Sequence, residues 1–236
     1  MSIKVILFDL DGTLLPMDQD IFVKAYFGGL SKKLAPLGYD SEKLIPAIWT
    51  GTKAMVQNNG EVTNEKAFWN KFSEIFGNKA REDEPYFEEF YKNEFQKVKE
   101  VLGFSAMAKE VVEKAKSKAF RVALATNPIF PSIATVSRIR WAGLEPDDFE
   151  LYTTYENSNY CKPNLEYYKS IINKLGVKAD ECLMVGNDVS EDMVAEKLGC
   201  KVFLLTDCII NKENKDISVY PNGNFYDLIK FIDCLS

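Results

Sequence analysis

Hydrophobic positions follow two different patterns along the chain. Residues 3–8 are mostly apolar and form a run too short for a typical helix, so they predict a buried strand. Between residues 16 and 102, aromatic and aliphatic side chains recur at helical spacing, which predicts four or five helices in an antiparallel bundle. The breaks fall at Gly38, Asn58-Asn59-Gly60 and Gly77-Asn78, and Gly28-Gly29 is predicted to interrupt the first helix.

From about residue 105, short apolar runs alternate with amphipathic segments. Strands are predicted over 120–126, 149–154, 182–186 and 201–205, and helices over about 105–118, up to Trp141, and over 164–175, 190–198 and 224–235. The polar stretch 207–223 predicts a long loop. Such alternation is typical of a parallel sheet covered on both faces. We therefore predict an α/β fold, with a Rossmann-like parallel sheet from residues 1–15 and 103–236 and a helical bundle inserted over 16–102.

Composition excludes several kinds of chemistry. The 236 residues include no histidine, which rules out Ser-His-Asp and Cys-His catalysis and any histidine-ligated metal. The five cysteines are scattered without a C-x-x-C pair, so reduced thiols are expected. A formal charge of −6 argues against nucleic acid as a partner. No secretory signal and no membrane span is visible, so the expected location is the cytoplasm.

Two carboxylates follow the first strand. Because residues i and i+2 of a strand point to the same face, Asp9 and Asp11 are expected to lie close together where the strand gives way to the turn at Gly12. Two close anions repel each other by roughly a few kcal/mol. A metal ion would relieve the repulsion, and so would protonation of one carboxylate.

Polar residues also follow the later strands. Thr126 and Asn127 end the second predicted strand, and Asp188 follows the strand at 182–186. Ligands of open parallel sheets bind at the carboxyl ends of the strands. The coincidence of polar residues at the same end of different strands predicts an active site there.

Four separated motifs resemble those of the haloacid dehalogenase-like hydrolases, which are mostly magnesium-dependent phosphatases. The first is Asp9-Leu-Asp11-Gly12-Thr13, and the second is the strand that ends in Thr126-Asn127. The third is Lys162-Pro163, and the fourth is Val185-Gly186-Asn187-Asp188 with Asp192 further on. The order and spacing of all four carry the resemblance, which spans nearly the whole chain.

The resemblance implies a role for each of these residues. Asp9 is the candidate nucleophile, and Asp11 is the candidate general acid and base. Mg²⁺ would be held by the side chain of Asp9, the main-chain carbonyl of Asp11 and the side chain of Asp188. Asp192 would either ligate the metal through water or orient Lys162.

The phosphoryl group would be contacted by several polar groups. Thr126 and the backbone around Asn127 would donate hydrogen bonds to it, and Lys162 would supply a positive charge. Gly12 would allow a close backbone approach beside the phosphate.

The second aspartate of the first motif bears on the reaction. Within the family, dehalogenases generally lack this residue, so Asp11 followed by Gly-Thr-Leu implies hydrolysis of a phosphomonoester. The inserted bundle resembles a cap that closes over a small phosphorylated metabolite. A phosphomutase would use the same two aspartates, and a catalytically silent binding module is the alternative of another class. The oligomeric state and the particular substrate are not encoded in any motif.

Overall fold

The computed structural model of the chain describes residues 2–235. Five parallel strands form one sheet in the order β2-β1-β3-β4-β5. The strands are β1 Val5–Phe8, β2 Arg121–Leu124, β3 Cys182–Gly186, β4 Lys201–Leu205 and β5 Asn222–Gly223. The predicted parallel α/β sheet is therefore confirmed.

Nine α-helices occur within residues 2–235. They are α1 Gln19–Leu34, α2 Ser41–Val56, α3 Asn64–Phe76, α4 Lys79–Glu82, α5 Glu84–Lys92, α6 Ala106–Ser117, α7 Ser132–Trp141, α8 Leu165–Leu175 and α9 Phe225–Asp233. Longer 3₁₀ segments cover Glu94–Val101 and Met193–Leu198. The elements from α1 to Val101, called here the helical insertion (residues 19–101), separate β1 from the rest of the sheet.

β1 lies inside the sheet and is buried on both faces. Ile6 and Phe8 belong to the hydrophobic core that includes α6, α7 and α9, whereas Val5 and Leu7 belong to the core that includes α8. Consecutive strand residues point to opposite faces, so a strand covered by helices on both sides has to be apolar at every position. This explains why residues 3–8 do not alternate between apolar and polar.

The helical insertion has an aromatic core centred on Phe72. The Phe72 ring lies 5.6 Å from that of Phe68 and 5.7 Å from that of Trp69 in the same helix, and 5.6 Å from that of Phe87 in α5. Large aromatic side chains bury much apolar area and pack edge-to-face at such distances. The insertion therefore has a core that continues into the core on one face of the sheet.

Segment 149–154, predicted as a strand, is not one. Only Tyr152 forms a bridge to the sheet, opposite Leu124 at the edge of β2. The segment nevertheless runs along the edge of β2: the Glu150 amide donates to the Val122 carbonyl at 2.9 Å, the Leu124 amide to the Leu151 carbonyl at 2.7 Å, and the Thr153 amide to the Leu124 carbonyl at 3.1 Å. The pairing ends at Thr154, whose amide donates to the Asn157 side chain at 2.9 Å instead of to the sheet.

Three further element predictions were wrong in detail. Gly28 and Gly29 do not interrupt α1, since Gly29 packs beneath the Phe90 ring and tertiary packing outweighs the low helix propensity of glycine. Within segment 190–198, which was predicted as an α-helix, residues Met193–Leu198 form a 3₁₀ helix. Stretch 207–223 is mostly loop, but it ends in the short edge strand β5.

Among residues 2–235, no helix combines the length and apolar character that crossing a membrane requires.

Replacement of Phe72 tests the core of the insertion. Phe72→Ala should lower the free energy of unfolding by about 3–5 kcal/mol, because it leaves a cavity among packed rings. The measurement is denaturant-induced unfolding followed by circular dichroism. Tyr226→Ala, at an exposed position, is the matched control and should change stability little. A loss below about 1 kcal/mol for Phe72→Ala would contradict the assigned core.

Candidate active site

A cavity of about 770 Å³ lies between the carboxyl ends of the central strands and the helical insertion. Its lining includes the predicted residues Asp9, Asp11, Thr126, Asn127, Lys162, Asp188 and Asp192. These residues come from four separate stretches of the chain, and three of the stretches meet because they follow parallel strands that end at one edge of the sheet. The fold therefore brings nearly all of the predicted site into one place.

Lys162 lies between two buried carboxylates. Its Nζ donates to Asp9 Oδ1 at 2.8 Å and to Asp192 Oδ1 at 2.6 Å, and all three side chains are buried. Burial alone would lower the pKa of Lys162, but the negative charges of Asp192 and Asp9 outweigh it and hold the pKa well above its ordinary value. Lys162 is therefore a fixed cation at the carboxyl end of β1.

Asp192 is placed to orient this lysine. Its Oδ2 accepts a hydrogen bond from the Asp188 amide at 2.9 Å, so both of its oxygens already have protein partners. A side chain at position 186 would overlap the Asp192 carboxylate, so the glycine that ends β3 provides the space. The direct contact with Lys162 is the geometry expected for the orienting role, and both roles given to Asp192 stay predictions.

Asp11 is paired with Arg138 of α7, whose guanidinium is fully buried. Arg138 also lies over the Phe130 ring, 4.5 Å from its centroid, and its Nε donates to the Ala134 carbonyl at 3.3 Å. Burial raises the pKa of Asp11, the charge of Asp9 adds to this rise, and Arg138 opposes it. Separate cations thus hold Asp9 and Asp11.

The loop after β1 is fixed by short-range contacts. The Thr13 hydroxyl lies 3.0 Å from both Asp9 Oδ2 and Asn187 Oδ1, and the Asn187 amide donates to the Cys208 carbonyl at 2.6 Å. Gly12 has φ +82°, and a Cβ there would overlap the Asn187 side chain. Its N–H donates to the Leu15 carbonyl at 2.8 Å. Gly12 therefore closes the loop, and its predicted place beside the phosphate stays a prediction.

Asp188 begins the turn after β3. Its Oδ1 accepts from the amides of Ser190 and Glu191 at 2.7 and 2.9 Å, which fixes the carboxylate at the cavity wall. The Asp11 carbonyl takes part in none of the three backbone hydrogen bonds that close its loop, which run from Gly12 to Leu15 and from Thr13 and Leu15 to Leu10. Two carboxylates and one free carbonyl facing a cavity suit Mg²⁺, which prefers few protein oxygens and completes its shell with water and phosphate.

Among residues 2–235, no group of three or more acidic or cysteine side chains lies together in a way that could hold a metal ion by itself.

Thr126 and Asn127 follow β2 as predicted. Thr126 is buried at the cavity wall, and its carbonyl accepts from the hydroxyls of Thr153 and Tyr167 at 2.6 and 2.8 Å. Asn127 Nδ2 donates to Glu191 Oε2 at 3.0 Å, while its Oδ1 is buried without a hydrogen-bond partner within residues 2–235.

Sequence reasoning missed Arg138 and Glu191. Arg138 lies one helical turn after Ala134, on the buried face of α7. An arginine at a position where the helical spacing predicts an apolar side chain was the one sign in the sequence that it has a buried partner. Glu191 had no signal of its own, because it stands among other acidic residues. Burial raises the pKa of Glu191, which lines the cavity beside Asn127.

Comparison with known proteins identifies the family to which the chain belongs. The sequence pattern of the haloacid dehalogenase-like hydrolases matches residues 3–206, so the chain belongs to that family of hydrolases. The phosphoglycolate phosphatase of Vibrio parahaemolyticus serotype O3:K6 is 29% identical over 207 residues, which cover 87% of this chain and 84% of the relative.

Solved structures share the fold at low identity. A HAD phosphatase from Thermococcus onnurineus superposes with a TM-score of 0.59 at 20% identity, and its alignment covers 98% of each chain. A 2-haloacid dehalogenase from Pseudomonas syringae pv. Tomato DC3000 superposes with a TM-score of 0.65 at 17% identity, again over 98% of each chain. Since phosphatase and dehalogenase structures both fit, the fold does not select the reaction.

Removal of the Lys162 charge tests the ion-pair arrangement. Lys162→Met should lower the free energy of unfolding at pH 7 by about 3–5 kcal/mol, because two carboxylates stay buried without their cation. The fold raises the pKa of Lys162, so its positive charge stabilises the folded state. This stabilisation is fully present below the ordinary lysine pKa of about 10.4. It is lost as pH rises above that value and through the raised pKa of the folded state.

Urea unfolding between pH 7 and pH 11 measures both effects. Lys169→Met removes an exposed lysine that pairs with Glu166 on α8, so it is the matched control and should cost less than about 1 kcal/mol. Equal stability losses for the two variants would show that Lys162 is not the structural cation of the site.

Proposed function

We propose that the protein is a Mg²⁺-dependent phosphomonoester hydrolase that acts on a small phosphorylated molecule through an aspartyl-phosphate intermediate. The observation that carries the proposal is the pair Asp9 and Asp11 at one end of one cavity, each with its own buried cation. An attacking carboxylate alone would suffice to displace a halide. A second carboxyl group is needed when the leaving group is an alkoxide that must be protonated.

Asp9 acts as the nucleophile. One of its oxygens forms a bond to phosphorus while the bond from phosphorus to the leaving oxygen breaks, and Asp11 gives its proton to that oxygen. In the second half-reaction Asp11 takes a proton from water, and the resulting hydroxide attacks the phosphorus. Inorganic phosphate leaves and the Asp9 carboxylate is restored.

The environment of Asp11 suits this exchange. Its raised pKa keeps a proton available for the leaving group, and the Arg138 charge limits the rise so that the proton can be released to the departing oxygen. Lys162, beside Asp9, and Thr126 and Asn127 at the end of β2 would contact the phosphoryl oxygens.

Mg²⁺ would be held by the Asp9 and Asp188 side chains and the Asp11 carbonyl. Its chemistry would be to offset the negative charge of the phosphoryl group and to permit the approach of an anionic nucleophile. Residues 1–15 and 103–236 would form the catalytic core, and residues 16–102 would form a cap that excludes bulk water.

Phosphate release from a panel of phosphorylated metabolites and a chromogenic phosphomonoester tests the proposal. We expect release that depends on Mg²⁺ and that Asp9→Asn lowers by at least about 10³-fold, since the nucleophile is lost while the fold is retained. Thermal unfolding of the variant serves as the control for folding. Release that survives both EDTA and Asp9→Asn would overturn the site, and isomerisation of a sugar phosphate without release would indicate a phosphomutase.

Arg138 provides a test of the role of Asp11. Arg138→Met should move the descending, alkaline limb of the kcat/KM pH profile to higher pH, because the pKa of Asp11 rises when the guanidinium is removed. Arg138→Lys retains the charge and should keep the limb near its original position. Arg140→Met, in the same helix but exposed, is the control. An unshifted limb in Arg138→Met would contradict Asp11 as the titrating acid.

A further inference from the structure

The first residue of α3, Asn64, carries a fully buried amide where the helical insertion meets the rest of the chain. Its Oδ1 accepts a hydrogen bond from Asn58 Nδ2 at 2.9 Å, so the direction of the amide is fixed from within the insertion. Its Nδ2 lies 3.2 Å from the Pro128 carbonyl, 3.3 Å from the Tyr160 carbonyl and 3.3 Å from Cys161 Sγ. An amide nitrogen has two hydrogens, so these acceptors outside the insertion use its whole donor capacity.

Two of the acceptors belong to the chain neighbours of candidate site residues. Pro128 follows Asn127, whose side chain lines the cavity. Cys161 precedes Lys162, whose Nζ lies between two carboxylates. One side chain of the helical insertion therefore contacts both of the segments that would bind the phosphoryl group. An apolar side chain in its place would leave buried carbonyls without this donor, which is unfavourable.

The main chain at the start of α3 makes separate contacts with the same region. The Asn64 amide donates to the Ser158 carbonyl at 2.8 Å, and the Glu65 amide donates to the Tyr155 carbonyl at 2.9 Å. The first N–H groups of a helix have no acceptor within it, and here a segment outside the insertion provides the acceptors. Docking of the insertion thus has main-chain hydrogen bonds of its own, apart from those of the Asn64 side chain.

We propose that Asn64 is a positioning residue of the phosphoryl site, one that acts by holding other residues in place. Its amide fixes the segments that carry Asn127 and Lys162 relative to each other while the insertion lies over the cavity. Contact between the insertion and the rest of the chain thereby completes the site, because small displacements of groups that contact a transition state cost much of the rate. This inference rests on the proposed phosphatase function and adds a residue of the insertion to it.

Hydrolysis of para-nitrophenyl phosphate with Mg²⁺ tests the proposal. Asn64→Ala should lower kcat by about ten- to hundredfold and change KM by less than about threefold, because the lost geometry matters in the transition state more than in substrate binding. The matched control is Asn159→Ala, which removes a side-chain hydrogen bond of 2.9 Å to the Gly60 carbonyl and so loosens the same two regions through a different acceptor. The control should keep kcat within about threefold of the wild-type value.

Thiol labelling measures the same contact without turnover. Cys161 is buried against Asn64, whereas Cys208 is half-buried and Cys234 is exposed. The other two thiols are buried in the core on the other face of the sheet. In a Cys208→Ser, Cys234→Ser background, Asn64→Ala should therefore raise the rate at which a chromogenic aromatic disulfide labels Cys161 by about tenfold, because the segment opens more often. An unchanged rate would contradict the contact on which the proposal depends.

Circular dichroism and thermal unfolding show whether each variant is folded at the assay temperature. If Asn64→Ala does not fold, Asn58→Ala replaces it, because loss of the Asn58 donor leaves the Asn64 amide free to turn. This variant should lower kcat in the same direction, and an unchanged kcat in the folded variant would count against the proposal.

The outcomes separate the two proposals. A folded Asn64→Ala protein that keeps kcat within about threefold of the wild-type value would overturn the positioning role while the phosphatase function stands. Equal losses of kcat in Asn64→Ala and Asn159→Ala would show that docking in general, and not this amide, sets the rate, which would also overturn it. No phosphate release by the wild-type protein would count against the phosphatase function and, with it, against a positioning role in that function.

Discussion

The placement of two buried cations among three aspartates is the constraint on which this site depends. Asp9 and Asp192 share Lys162, and Asp11 has Arg138. A buried carboxylate without a partner is expensive, and removal of one partner from such a pair costs about 3–5 kcal/mol. The loop after β1, the turn after β3 and helix α7 are therefore tied to one another through charge as well as through packing.

This pairing also explains how one cavity can hold two aspartates with different tasks. The expectation from sequence was that a metal or a shared proton would relieve the repulsion between Asp9 and Asp11. In the structure a different cation lies beside each of them, so their environments differ before any metal or substrate binds. Different environments are the usual means by which neighbouring carboxyl groups acquire separate roles.

The helical insertion determines what else can enter the cavity. The residues that it contributes to the cavity are mostly aromatic and acidic, among them Trp49, Trp69 and Glu65. Relatives that share the fold at 15–20% identity include both phosphatases and a dehalogenase, so similarity of the sheet carries little information about the substrate.

The sequence by itself determined the sheet, the helical insertion and the set of aspartates. An uninterrupted apolar run such as residues 3–8 indicates a strand that is buried on both faces. The carboxyl ends of parallel strands lie at the same edge of the sheet, so residues that follow them come together even when they are far apart in the chain. Tertiary structure alone decided the partners: Arg138 beside Asp11, Glu191 beside Asn127, and segment 149–154 at the edge of β2 with a single bridge instead of a full strand. Such contacts join residues far apart in sequence, and their energies depend on burial and charge that no local pattern encodes.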